Sequence, residues 1–358
     1  MCRYVKKLAW LFCLLITCNL NPTYPNGKSS FAAAYFLRFT PQSSVITDLK
    51  SHALYLTIHL NSNASTLECL RSIGRIRKYI NKLCPPYSCR ENNEIFYGIG
   101  FGVQFYKNIS PDFQCRGVEN YEYRERTGKF GKLPKTDGDI FIHAKCNNYG
   151  ILFDLAKYII YNMPSGSVDK FEDIYGFKFR GGRDLSGFED GTKNPKSIRR
   201  RIEVAINKRT GGSYALAQRW VHNMSLLEET NDRIKEEWIG RTLKESYELA
   251  NKRDVSHVAR MVGSEEYHKE PKYKILRQSL PYGTLSDKSG LQFMAYSSDL
   301  INLEFMLNRM TDSHSDDKKN DYIMIFSKCS TGNYWYFPSY NELIHLIDNE
   351  YRKHRYPM

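Results

Sequence analysis

Acidic residues are missing from the start of the chain: no Asp or Glu precedes Asp48, although Arg3, Lys6, Lys7, Lys28 and Arg38 do. With its apolar run from Leu8 to about Leu20, ended by Asn21-Pro22, this opening reads as a signal peptide. The acid-free, Ser-containing stretch that follows to Ile46 keeps a two-part leader to an organelle as an alternative, and an uncleaved signal anchor as a third. The apolar run falls short of the roughly 20 residues a membrane span needs, so no stable span is expected after leader removal. Spacings of Cys and His that would build a zinc site are absent as well. Of the nine cysteines, Cys2, Cys13 and Cys18 fall in the leader. Cys69, Cys84, Cys89, Cys115, Cys146 and Cys329 remain in a body too large to need disulfide staples. Only Cys84 and Cys89 are placed to bridge locally, and free thiols are the expectation.

What is present is the composition of a soluble globular protein, 41% hydrophobic and 25% charged over 358 residues. That length suits two ordinary domains or one pseudo-duplicated unit. The net charge of +13 is local in part: it sits in the leader, in Arg199-Arg200-Arg201 and in the tail at Arg352, Lys353 and Arg355. Scattered runs of this kind make solvated surface rather than a groove, so nucleic acid is not an expected partner.

Patterning gives the order of elements. Ala53 to Leu60 is apolar and β-prone, and Leu67, Leu70, Ile73, Ile76, Ile80 and Leu83 recur at helical spacing within Ser65 to Leu83. In Ile95 to Val103, Gly98, Gly100 and Gly102 alternate with larger residues, as in a strand against which something packs closely. Asp139 to Ala144 is a further strand, Leu152 to Met163 a helix and Tyr175 to Arg180 a strand, which completes βαββαβ. The order then repeats without repetition of sequence: strand Ser213 to Val221, helix Asn231 to Leu249, strands Tyr273 to Leu280 and Leu291 to Tyr296, helix Leu300 to Met310 and strand Asp321 to Ser327. Tyr334 to Ile347 is expected to pack across the end. Two such units predict an α+β fold of tandem ferredoxin-like domains with antiparallel sheets. The boundaries are a leader at 1–47, an N-terminal domain at 48–208 and a C-terminal domain at 209–350.

Between the halves lies Gly182-Arg183-Asp184-Leu185-Ser186-Gly187-Phe188-Glu189-Asp190-Gly191-Thr192-Lys193-Asn194-Pro195. Its glycines and closing proline demand tight turns, which hold Asp190 on a loop rather than a helix. Spacing leaves the roles of the nine histidines open; His257, between a helix and a strand, lies in an irregular segment able to present its side chain to a cavity.

The run from Gly182 to Pro195 resembles the signature of the dye-decolourising peroxidases. So do Gln218 to Thr242, Ser256-His257 and Ile275-Leu276-Arg277-Gln278-Ser279-Leu280-Pro281-Tyr282-Gly283, above all in the bacterial branch with compact loops. The resemblance covers about residues 53 to 347. It implies a fold of the dimeric α+β barrel type whose C-terminal domain binds haem b, with His257 as the axial ligand of the iron. Asp190 and Arg277 fall on the distal pair that handles hydrogen peroxide, and Asn194 on an asparagine of that network near the haem propionates. Ser279 stands where some relatives carry a distal asparagine, and Lys193 where glutamate is frequent. The implied activity is a haem peroxidase that passes through a ferryl intermediate and oxidises small dye- or phenol-like reductants. A haem-binding or haem-trafficking protein is the alternative. A homo-oligomer is also expected. Asp299 and Glu304 are candidates, by position, for the acceptor behind His257.

Overall fold

The computed structural model describes residues 40–85, 88–312 and 319–353. The leader's apolar run and its three cysteines lie outside them. Twelve strands are present among the described residues: β1 His52–Leu60, β2 Phe96–Phe101, β3 Arg126–Gly128, β4 Gly131–Leu133, β5 Ile140–Cys146, β6 Val168–Phe177, β7 Ser213–His222, β8 Leu276–Arg277, β9 Leu280–Gly283, β10 Ser289–Ser297, β11 Ser327–Cys329 and β12 Asn333–Phe337. β3 and β4 form a separate hairpin.

The expected βαββαβ order holds in each half, and the two antiparallel sheets join. β12 of the second half pairs with β2 of the first, and β9 with β6. Because β7 also pairs with β10, the order β7-β12-β2-β5-β1-β6-β9-β10 closes into a barrel of eight strands. Alternation along each strand sorts the side chains. Tyr55, Phe141, Ala215, Ala217, Met294, Tyr296, Trp335 and Phe337 fill the barrel, while Leu54, Leu56, Ile140, Ile142 and Leu216 face the surrounding helices. Gly98 and Gly100 are needed for this closeness: a Cβ on Gly100 would lie 2.5 Å from the Phe337 ring. Among the described residues no helix is long and apolar enough to cross a membrane.

Several boundaries differ from the sequence reading. Residues 42–47, assigned to the leader by the sequence reading, are packed into the body. Gln42 donates to the carbonyls of Ile99 and Pro338 and accepts from the Ile99 N–H at 2.7 Å, and Val45 is buried in the barrel interior. The helix expected at Ser65 to Leu83 divides at Arg75 into Thr66–Gly74 and Ile76–Leu83. The one expected at Asn231 to Leu249 stops at Ile239, where Gly240 turns left-handed at φ 89°. Tyr273 to Leu280 divides between β8 and β9. Asp321 to Ser327 is a short helix, Ile323–Phe326, leading into β11, and the final barrel strand is β12. A short apolar run buried on all sides carries no period that separates helix from strand. Cys84 and Cys89 are disulfide-bonded with Cα atoms 4.8 Å apart; Cys69, Cys115, Cys146 and Cys329 are free.

Candidate active site

The outer faces of β7 and β10 form one wall of a large cavity. Leu216, Gln218 and Trp220 line it from β7, Leu291 and Phe293 from β10, and Leu303, Met306, Leu307 and Met310 from the helix Leu300–Thr311. The cavity measures about 1500 Å³, its open mouth included, and polar side chains enter it from separate parts of the chain.

His257 is the first residue of the helix His257–Val262, whose N-cap Ser256 accepts from the Ala259 N–H. Its Nδ1 lies 2.8 Å from Oδ2 of Asp321, a carboxylate with no solvent exposure whose other oxygen accepts from the Ile323 N–H at 2.9 Å. Asp321 thus fixes the ring with Nδ1 as donor and leaves Nε2 for a metal. Neither Asp299 nor Glu304 is hydrogen-bonded to His257. Asp299 instead caps the helix Leu300–Thr311, accepting from the Ile301 N–H at 3.1 Å.

Asp190 arrives on a loop whose shape depends on left-handed glycines, Gly187 at φ 91° and Gly191 at φ 81°. The Arg183 guanidinium fastens that loop by donating to the carbonyls of Gly187 and Leu243 at 2.8 Å and of Lys244 at 2.7 Å. Asp190 Oδ1 then sits 3.0 Å from Nη1 of Arg277, both half-buried at the cavity wall. Asn194 lines the same wall, but its amide is spent on the Arg277 main chain: Nδ2 donates to the carbonyl at 2.8 Å and Oδ1 accepts from the N–H at 2.9 Å. Asn194 is therefore a positioning residue for Arg277. Lys193 faces Glu270 at 3.6 Å.

Ser279 does not line the cavity. It is buried, and its hydroxyl accepts from the Met294 N–H at 3.2 Å, because the chain breaks its strand between Arg277 and Leu280. Gln278 meanwhile accepts from the buried Lys145 ammonium at 2.9 Å inside the barrel.

Two further groups escaped the sequence reading. Arg241 enters the cavity while donating to the Ser246 carbonyl at 2.7 Å. Burial pulls its affinity for a proton below the ordinary value, Glu248 opposes this, and Arg277 adds repulsion. Asp184 and His222 line the opposite end, with Nε2 3.0 Å from both carboxylate oxygens and Nδ1 2.8 Å from the Ser327 hydroxyl. Burial works against charge on Asp184, yet His222 and the Ser186 hydroxyl and amide outweigh it and hold the carboxyl at about 2.

A family model described as Dyp-type peroxidase, C-terminal, matches residues 181–342, which contain every one of these groups. The Dye-decolorizing peroxidase of Mycobacterium tuberculosis is 31% identical over 243 residues, 64% of this chain and 70% of that protein. The chain belongs to the dye-decolourising peroxidase family. The Dye-decolorizing peroxidase of Rhodococcus erythropolis is 29% identical over 63% of this chain and 67% of its own length. Among solved structures, the dye-decolorizing protein from V. cholerae superposes with a TM-score of 0.71 at 30% identity, covering 86% of this chain and 99% of that one. A variant of DypB from Rhodococcus jostii RHA1 in complex with heme gives a TM-score of 0.72 at 25% identity, over 86% of this chain and 99% of that one. Within this family the closed barrel is the shared frame, and the cavity described above lies on its outer surface.

Proposed function

We infer that this dye-decolourising peroxidase is a haem-dependent enzyme that uses hydrogen peroxide to oxidise small dye- or phenol-like reductants. The β7–β10 cavity would hold haem b, with His257 binding its iron. One observation carries the assignment. A single cavity holds an imidazole whose Nδ1 is committed to a buried carboxylate and, apart from it, an Asp–Arg pair. Apolar walls from β7, β10 and the helix Leu300–Thr311 suit the flat macrocycle, and Arg241 offers a cation to one of its carboxylates.

When bound, haem supplies the iron that takes up peroxide and holds the oxidising equivalents. The protein supplies proton handling and charge. The Asp190 carboxylate accepts the proton from hydrogen peroxide and returns it to the departing oxygen. Arg277 stabilises the negative charge that develops as that bond breaks. Asn194 keeps the Arg277 main chain in place. The negative charge of Asp321 makes the His257 imidazole a stronger donor to iron.

The test is single-turnover mixing of haem-loaded protein with peroxide. Asp190→Asn and Arg277→Leu should keep the Soret band and slow the peroxide-induced spectral change by about 10²- to 10⁴-fold. His257→Ala should lose the band. Wild-type rates in both distal variants would sink their assignment, and haem uptake with no response to peroxide in the parent protein would favour a haem-trafficking role. Delivery to the secretory route or an organelle is proposed from the acid-free leader, and mass spectrometry of the native N-terminus checks it. A homo-oligomer is proposed from Tyr149 and Phe153, which stand exposed one turn apart on the helix Tyr149–Tyr161, and sedimentation checks that.

A further inference from the structure

The two ends of the barrel are built differently. In the β1–β5 register Lys145 lies opposite Ala53, His143 opposite Tyr55 and Phe141 opposite Thr57, so these inward side chains mark position along the axis. At the Lys145 end the segment Gln42–Thr47 acts as a plug, with the ammonium donating to the Ser44 and Thr47 carbonyls at 3.0 and 2.8 Å. At the Thr57 end a second cavity, about 780 Å³ with its mouth, runs inward past His59 and Thr57 to Tyr55, Phe141 and Trp335. An eight-stranded barrel is wide enough either to be filled by its own side chains or to hold one small ligand.

The walls indicate which ligand. Deep inside they are aromatic, and Phe171 continues that surface to the rim, where it stands 48% exposed. Two buried polar atoms in these walls have no protein partner among the described residues: the indole Nε1–H of Trp335, 1% exposed, and the amide Oε1 of Gln292, 4% exposed. One is a donor and the other an acceptor, and leaving both unmet is costly. A hydroxyl can serve either atom, accepting from the indole N–H or donating to the amide oxygen. A carboxylate, which only accepts, has nothing to donate to the Gln292 oxygen.

We propose that the open end of the barrel is a binding site for a small phenol. The proposal rests on the peroxidase reading for its purpose, since phenols are reductants of that reaction, and it adds a place for them apart from the peroxide cavity. Tyr55 lines the site and donates to the Gln278 carbonyl at 2.7 Å, one residue beyond Arg277. The phenol site and the peroxide side therefore share a wall.

Haem-loaded full-length protein with 4-fluorophenol as probe tests this, by fluorine NMR titration and by crystals soaked in the same compound. The expected result is one ring lying against Trp335 with its hydroxyl at Gln292. Gln292→Leu should weaken 4-fluorophenol about 10-fold and leave fluorobenzene unchanged. Phe171→Ala, at the exposed rim, should weaken both. A cavity holding only water after soaking, or affinities that neither substitution moves, overturns the proposal. Both variants should keep the Soret band and the parent's spectral response to peroxide. A chain that takes up no haem would sink the peroxidase reading by itself, while the titration would still decide the phenol site.

Discussion

The two bonds from Asn194 to the Arg277 main chain concentrate a large effect in one amide. Removing it in Asn194→Ala leaves a half-buried N–H and carbonyl unmet, at a cost of about 1–3 kcal/mol. The peroxide step should slow alongside, and Asn194→Asp should recover only part of both, because a carboxylate can accept from Arg277 but not donate to it. Urea titration and rapid mixing of the same variants measure the two losses. Asp184 gives a pH signature. Its carboxyl is held at about 2, below the ordinary 3.8, so its contribution is complete above about pH 4 and disappears as pH falls toward 2. Asp184→Asn should cost on the order of 2 kcal/mol at pH 7 and flatten the acid limb of a stability profile. Asp190, Asn194, His257 and Arg277 were each singled out by a local motif resembling the family's, and the fold brings all four to one cavity. Asp321 was not, since it lies 64 residues beyond His257 and only tertiary folding brings the two together. Ser279, expected on the distal side from its place in the family motif, is buried instead and bonded to the Met294 N–H, because the strand breaks between Arg277 and Leu280.

Elements were legible where a period ran long enough to show and a stop residue ended it. The strand with three alternating glycines is the clearest case: it announced close packing, and Phe337 is what packs there. Gly100→Ala should therefore destabilise by about 1–3 kcal/mol through steric conflict with a ring wedged against Tyr296 and Phe141, as denaturant midpoints would show. Asp321 to Ser327 was read as a strand because its apolar run is short and buried, whereas the true final strand, Asn333 to Phe337, was taken for part of an end cap. Tyr334, Trp335, Tyr336 and Phe337 are all buried, inside the barrel or against its helices, so no polar face marked them as a strand.

At the scale of the molecule, patterning predicted two sheets and only the family resemblance implied a barrel, because each join between the halves rests on a single pair of residues, Tyr336 with Phe101 and Gly176 with Tyr282. The N-terminal plug was likewise hidden inside a stretch with the composition of a leader. A chain beginning at residue 48 should be less stable than one beginning at residue 40, because it loses Gln42, Ser44 and Val45 and opens the Lys145 end to water. Thermal unfolding of the two truncations checks this. The position of β12 has a consequence for how the protein is made. It fills the gap between β7 of one half and β2 of the other, yet it is the last strand the ribosome produces. The cylinder therefore closes only once the chain through Phe337 has been made, although the cavity wall itself rests on the direct pairing of β7 with β10.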